Sequence, residues 1–529
     1  MYKRLSMLLA LLLIFAILSA CATTPPGATS STTSDEMAAD AANNNGEGSG
    51  EGTMENGTRG ILRMPHPLVW EGKETLDPAG PVSFDYANYL LYNRLVRLDE
   101  EGVPMPELAT AWEANEDATA WTFTLRDDVT FHDGSPMTSA DVAYTFAHIL
   151  DPATESPAAS LLGLIAGTET PDAQTIVFQL SEGHADFPLL LVSRFAAIVP
   201  ADSAATIAES GIGTGPFKLE SLTADGTTVF VANDDYWKGT PGLAGIELVA
   251  MADSDSRVLG AQSGQFDLVI DLSATQADLF AGDDTFSVLE FPTGRFATLV
   301  MRTDTPPFDD VRVRQAMKLV ADRQVLIDLV SGGAGTISCD TPVAPRDVYR
   351  WESECPQDID GAKALLAEAG YPDGLDVTLY TADVQALLIP MAEVYQQQAA
   401  AAGINVTLEV LSADSYWSAA WMIEPFLASY WLERPADNIL NTLWRSTAPW
   451  NEAYFQNTDF DQLLDEARSA LDFEARRTRY QEAQQLGAME GGHLVPFHVN
   501  QFTVVSTNVT GVQARSEQHM EWHLISKGE

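Results

Sequence analysis

The side chains best suited to recognising a charged solute lie in one short run, Ser429-Tyr430-Trp431-Leu432-Glu433-Arg434-Pro435-Ala436-Asp437-Asn438. Glu433 can hold an ammonium group, and the Arg434 guanidinium can grip a carboxylate through two parallel N–H donors. The plainer reading is that these two charges pair with each other or with neighbours at a surface. Tyr430 and Trp431 can wall a pocket. Trp417 and Trp421, four residues apart, suit a pocket wall and an apolar core equally.

Other reactive residues form no catalytic set. His519 and His523 are four apart, so one helix face can present both to a metal. A solvated helix near the C-terminus explains the spacing as well. His493 and His498 flank Pro496 and read as packing near a strand. There is no Gly-x-Ser-x-Gly elbow, no His-Glu-x-x-His and no cysteine–histidine nucleophile in a supporting context. With 75 Asp and Glu in the chain, no carboxylate pair stands out as a glycosidase dyad. Gly211-x-Gly213-x-Gly215 has the look of a phosphate loop, but Pro216 blocks the helix whose amides would face the phosphate. Those glycines read instead as a turn that lets backbones approach closely. The chemistry is that of capture and not turnover, with no cofactor and no metal implied.

The 529 residues exceed one ordinary core, so two or three domains are expected. At the N-terminus, Lys3 and Arg4 precede an apolar run from Leu5 to Leu18, shorter than the ~20 residues that span a bilayer. Leu18-Ser19-Ala20-Cys21 resembles a bacterial lipobox, which implies a signal peptide over 1–20 and a lipid on Cys21. A membrane-spanning anchor is the alternative. Residues 21–59, rich in Ser, Thr, Asn, Gly and Glu, read as a disordered tether. The net charge of −46 excludes nucleic acid and anionic membrane surfaces as partners and describes a solvated acidic surface. Attraction of cationic solutes or adaptation to a saline exterior would use the same charge. Outside the cytoplasm Cys339 and Cys355 are free to form a disulfide across a loop holding Pro342 and Pro345; a metal site is the weaker alternative.

Positioning elements follow from periodicity. Trp121, Phe123 and Leu125 alternate with polar residues as a strand, which Val129 and Phe131 resume. His132 to Pro136 is turn chemistry, and Thr138 with Asp141 forms a short-armed capping box for a helix whose apolar face is Val142, Phe146 and Ile149. Ile61 to Leu76 reads as a strand, and 86–98 as a helix running into a strand. Asp309 or Asp310 caps a helix whose apolar face is Val313, Met317, Val320 and, after a short break, Leu326 and Leu329. A strand from Leu375, a helix from Leu387 ending at Gly403 and a strand from Asn405 form a β-α-β unit, hence a parallel pair. Residues 460–486 hold two helices, and 494–505 close as strand.

Five segments resemble, in order and spacing, the family 5 extracellular solute-binding proteins, the peptide- and nickel-type receptors of ABC importers. They are Trp121–Phe146, Gly213–Phe217, Asn233–Trp237, Pro306–Met317 and Ala362–Pro372. The resemblance implies an α/β, two-lobed periplasmic-binding-protein-like clamp with an extra domain, built on mixed sheets. Domain I would comprise 60–84, 190–294 and 494–529, domain II 85–189 and domain III 295–493. The solute would lie between domains I and III, where peptide-binding members carry a Trp followed by an acidic residue that holds the α-amino group. Here Glu433 follows Trp431, with Arg434 beside it. Tyr430, Trp431, Glu433, Arg434, Trp417 and, near the crossover, Arg295 are the ligand-binding candidates. The implied protein is a monomeric, extracytoplasmic, lipid-anchored receptor passing a short peptide, or a similar amino- and carboxylate-bearing solute, to an ABC permease and ATPase complex. An oligosaccharide is the alternative ligand and a nickel complex a lesser one.

Overall fold

The computed structural model describes residues 59–67, 74–223 and 226–528. The leader, the tether and Cys21 lie outside the described residues. So do residues 68–73 of the first expected strand; the strand that forms is Ile61–His66.

Three sheets carry the architecture. Ile61–His66 pairs parallel with Gly245–Ala250, which continues antiparallel to Thr227–Ala232 and Phe217–Ser221. A second sheet runs Ala109–Ala114, Ala120–Leu125, Thr175–Leu180, Ile165–Asp172. The third and largest is mixed, in the order Leu268–Leu272, Phe497–Ser506, Phe286–Met301, Phe426–Trp431, Leu375–Ala382, Ile404–Leu411. Its last two strands are parallel and joined by the helix Leu388–Ala400, the expected β-α-β unit.

Each sheet buries its own apolar face. Trp121, Phe123, Phe146, Phe178 and Phe187 make one core. Leu62, Phe217, Phe230 and Leu248 make another. Leu299, Met317, Leu379, Tyr395 and Phe426 make a third. The Trp121–Phe146 run is therefore scaffold. Its helix Ser139–Leu150 begins as expected: the Thr138 N–H and hydroxyl donate to Asp141 Oδ2 at 2.8 and 2.9 Å. Val129 and Phe131 do not resume the strand; they are buried in a turn closed by the Thr130–Pro136 bridge.

His132 ties this run to the glycine turn. Its Nδ1 accepts from the Gly213 N–H at 3.2 Å, and its Nε2 faces the Gly215 carbonyl at 3.1 Å. A Cβ on Gly213 or Gly215 would stand 2.1 or 2.4 Å from the Leu91 or Leu90 carbonyl oxygen, so close backbone approach is the reason for glycine at both positions.

The expected break after Val320 separates two helices, Val311–Leu319 and Arg323–Val330; Asp322 accepts from the Val325 N–H and starts the second. Two expectations need correction. Leu329 is not on the buried face: it is 66% exposed, while Leu326 stays buried. His519 and His523 lie not on one helix but on two separate turns, Glu517–His519 and Trp522–Leu524. No group of metal-binding side chains occurs among the described residues, and no described helix is long and apolar enough to cross a membrane.

Cys339 and Cys355 form a disulfide. Cys339 and Asp340 are both left-handed, at φ 53° and 68°, a conformation unfavourable for non-glycine residues. The bridge and a buried Arg323–Asp340 ion pair at 2.8 Å hold it. With the cysteines 16 positions apart in sequence, replacing both by serine should cost about 3 kcal/mol, measured by urea denaturation.

Four histidines make the fold acid-sensitive. Burial is the main cause that lowers His66 and His132 to about 4, His498 to about 3 and His519 well below its ordinary value. Each is neutral when folded but binds a proton near pH 6.5 when unfolded. Their contribution is complete above pH 6.5 and lost as pH falls toward the folded values. Their contribution should fall by up to ~5 kcal/mol per pH unit near pH 5. Urea midpoints measured between pH 7 and 5 read this slope, and His132→Gln should remove roughly a quarter of it.

Candidate functional site

The strand Phe426–Trp431 lies inside the large sheet, paired with Phe286–Met301 so that Trp431 faces Phe296. Its end is fixed from beneath by Glu452, fully buried. Glu452 accepts from the indoles of Trp431 at 2.9 Å and Trp421 at 2.5 Å, from the Ser429 hydroxyl at 2.9 Å, and from His493 Nε2 at 3.2 Å. His493 Nδ1 accepts from the Trp444 indole at 3.0 Å, which leaves its proton on Nε2, facing Glu452. Every donor in this network has a receiver, so the buried charge is compensated by hydrogen bonds.

Beyond Trp431 the chain leaves the sheet, and carboxylates hold the loop. Glu433 Oε2 accepts from the Gly294 N–H at 2.8 Å. Asp347 accepts from the N–H groups of Ala436 and Tyr349, both at 2.9 Å, and burial pushes its carboxyl up to about 6. The helix Ala436–Leu443 starts there. Asp437 in its first turn accepts two bonds from Arg468, at 2.8 and 2.9 Å, and one from the Tyr480 hydroxyl at 2.9 Å, with His184 Nε2 at 3.4 Å. Burial raises this carboxyl, but the bonds from His184 and Arg468 outweigh burial and hold it well below the usual carboxylate range. Asp186 similarly engages Arg476 at 2.8 Å and the Tyr349 hydroxyl at 2.7 Å.

A cavity of about 270 Å³ opens above this loop. Its walls come from residues 98–102, 161, 189–194, 291–292, 344–348, 433–435 and 515–519, segments remote in sequence. Of the six ligand candidates, Glu433 and Arg434 line it. They do not pair with each other. Arg434 has no carboxylate within 4.0 Å among the described residues. One nitrogen donates to Asn438 Oδ1 at 3.1 Å, and Nε is buried without a partner. The guanidinium carbon lies 5.6 and 5.7 Å from the ring centres of Trp431 and Trp450, within cation–π range.

The other four candidates are outside the lining. Trp431 is one layer behind it, supporting Arg434. Tyr430 and Trp417 pack edge to face at 6.1 Å, and Trp417 also meets Trp421 at 5.7 Å. Arg295 is committed to Asp271 at 2.9 Å. Local sequence gave no sign of three further lining arginines, Arg194, Arg346 and Arg515, because each reaches the cavity from a different loop. Nor did it reveal Glu452, one acidic residue among many.

Scaffold sheets around a loop-lined cavity between distant segments define a two-lobed α/β clamp that captures solutes. The solved structure of HbpA2 from Haemophilus parasuis has this fold: TM-score 0.79 at 23% identity, covering 89% of this chain and all of that one. The chain belongs to the bacterial extracellular solute-binding proteins, family 5, whose Middle model matches residues 103–454. It is 28% identical over 470 residues to Heme-binding protein A of Haemophilus influenzae, covering 81% of this chain and 85% of that one. It is 29% identical over 443 residues to Di/tripeptide-binding protein 3 of Pseudomonas aeruginosa, covering 76% and 83%. The family's members are extracytoplasmic receptors of ABC transporters that bind small molecules or peptides.

The Glu433–Gly294 contact has a direct test. A Cβ on Gly294 would stand 2.5 Å from Glu433 Cγ and 2.9 Å from Ala344 Cβ. Gly294→Ala should push the carboxylate off the amide, cost about 1–3 kcal/mol in urea denaturation and speed hydrogen exchange across 432–436.

Proposed function

We propose that this protein is a lipid-anchored receptor that takes a short peptide, or a similar carboxylate-bearing solute, into the cavity at Arg434 and presents its closed form to an ABC permease. The observation that carries this reading is Arg434: a half-buried guanidinium on the cavity wall, backed by two indole rings and without an acidic partner. A buried cation left unpaired is costly, and a ligand carboxylate compensates it. Closing the lobes over the solute shifts an open–closed equilibrium by the ligand's preference for the closed state. In this reading domain I spans 60–84, 190–294 and 494–529, domain II 85–189 and domain III 295–493. The di/tripeptide-binding relative supports the peptide class.

Di- and tripeptides at saturation should raise the melting temperature of the mature protein. Arg434→Gln should weaken their binding about tenfold or more in calorimetry, since removing one partner of a desolvated charge pair costs ~2 kcal/mol or more. Stabilisation by oligosaccharides and not by peptides would remove the peptide reading. For the anchor, Cys21→Ser should move the protein from the membrane fraction to the soluble one; unchanged membrane association would exclude lipidation at Cys21.

A further inference from the structure

Two hydrophobic cores approach each other at the cavity. One holds Trp121, Phe123, Phe178 and Phe187; the other holds Phe296, Tyr349, Trp431 and Trp444. The short helix Phe187–Leu190 joins them: Phe187 and Leu190 are buried in the first core, and Leu189 packs against the second. Along the cavity the join is incomplete. Leu98 and Leu161 rest on the first core, Leu189 and Val348 on the second, and all four line the cavity only half-buried. Aliphatic surface left in contact with water forgoes stabilisation that another apolar group would restore. The four side chains come from remote parts of the chain, so the fold assembles this border from separate pieces.

The charges of the lining do not favour one sign. Arg194, Arg346, Arg434 and Arg515 stand with Asp99, Glu100, Asp347 and Glu433. Arg194 is paired with Asp85, and Asp347 has both oxygens on backbone N–H groups, which leaves three of each sign. His519 is held neutral by burial. Arg434, with no acidic partner among the described residues, is open to a carboxylate. Glu433 commits Oε2 to the Gly294 N–H and has no described hydrogen bond on its other oxygen, which is open to an ammonium. A zwitterion of zero net charge fits such a set, whereas a second charge of either sign on the solute adds an uncompensated one. Charge therefore orients the two ends of the solute, and the choice of side chain falls to the aliphatic border.

We propose that the cavity selects its solute by one aliphatic side chain: a dipeptide of zero net charge whose leucine-like side chain fills the border of Leu98, Leu161, Leu189 and Val348 and completes the seam between the two cores. This rests on the reading that the cavity is the peptide site. Leu161 is the sharpest specificity-determining residue, because its segment, Ala159–Leu162, contributes no other side chain to the lining. The volume of about 270 Å³ sits at the small end of ligand pockets and keeps the solute near dipeptide size.

Calorimetry on the mature chain with Ala-Ala, Ala-Leu, Leu-Ala, Ala-Asn, Asn-Ala, Glu-Glu and Lys-Lys tests it. Leucine and asparagine side chains have nearly the same shape and differ in polarity. The tighter of Ala-Leu and Leu-Ala should bind about tenfold better than its asparagine counterpart and than Ala-Ala. Glu-Glu and Lys-Lys should both bind more weakly than Ala-Ala. Leu161→Asn should cut the leucine-to-asparagine ratio about threefold or more, and Leu161→Met, which keeps an apolar side chain of similar volume, should hold it. A folded Leu161→Asn with an unchanged ratio shows that Leu161 only packs, and overturns the proposal. A wild-type ratio near one, or a preference for either charged peptide, overturns it without any variant. Equal binding of Ala-Ala, Ala-Leu and Leu-Ala would keep the peptide reading and remove this one; binding of none of the peptides would refute the peptide reading and this proposal with it.

Discussion

Carboxylates that accept from backbone N–H groups hold the cleft loops against one another. Glu433 reaches Gly294, Asp347 reaches Ala436 and Tyr349, and Asp340 reaches Val495 at 3.1 Å. Each contact joins segments that are far apart along the chain or turns a corner that no sheet ladder can satisfy. A buried N–H without an acceptor is expensive, so these acids are structural before they are anything else. Two of these acids, Asp347 and Glu433, also line the cavity, so the contacts that fasten the loops shape its wall as well.

The supports beneath the wall work by saturation. Glu452 collects two indoles, a hydroxyl and a histidine, and Trp431 in turn gives Arg434 a flat surface to lie against. The loop 338–355 carries Arg346 and Asp347 and is closed by the disulfide. It is fastened from inside by Arg350, which donates to the carbonyls of Ile337, Ser338 and Val343 and contacts His498 Nε2 at 3.2 Å. Such a loop arrives at the cavity with little freedom left to lose.

What was legible in the chain was local. The Thr138–Asp141 cap, the parallel pair at 375–411 and the close approach at Gly213 and Gly215 all follow from contacts within a few residues or from periodicity. Glu433 and Arg434 were legible as an unusual charge pair behind a tryptophan. Their separate fates were not: Glu433 meets an amide 139 positions away and Arg434 meets nothing acidic. Trp417 and Arg295 have the right chemistry, but edge-on aromatic packing and an ion pair occupy them. Leu329 fell out of the apolar face although the break before it was legible: on the second helix, capped by Asp322, Leu326 is buried and Leu329 is exposed. Arg346 and Arg515 could not be read as partners, since only the fold brings two exposed-looking arginines to one wall.

The strand Phe286–Met301 serves two neighbours in succession. Its first half pairs with Phe497–Ser506, and its second half with Phe426–Trp431. The ladder to Phe497–Ser506 slips between Pro292 and Phe296, and Gly294 sits in that gap. Glu433, next to Arg434 on the cavity wall, fastens to this same glycine. In mechanical terms the cavity wall is tied to the one place where the beam has let go of a neighbour, so a disturbance at the wall meets the long strand at its least braced point.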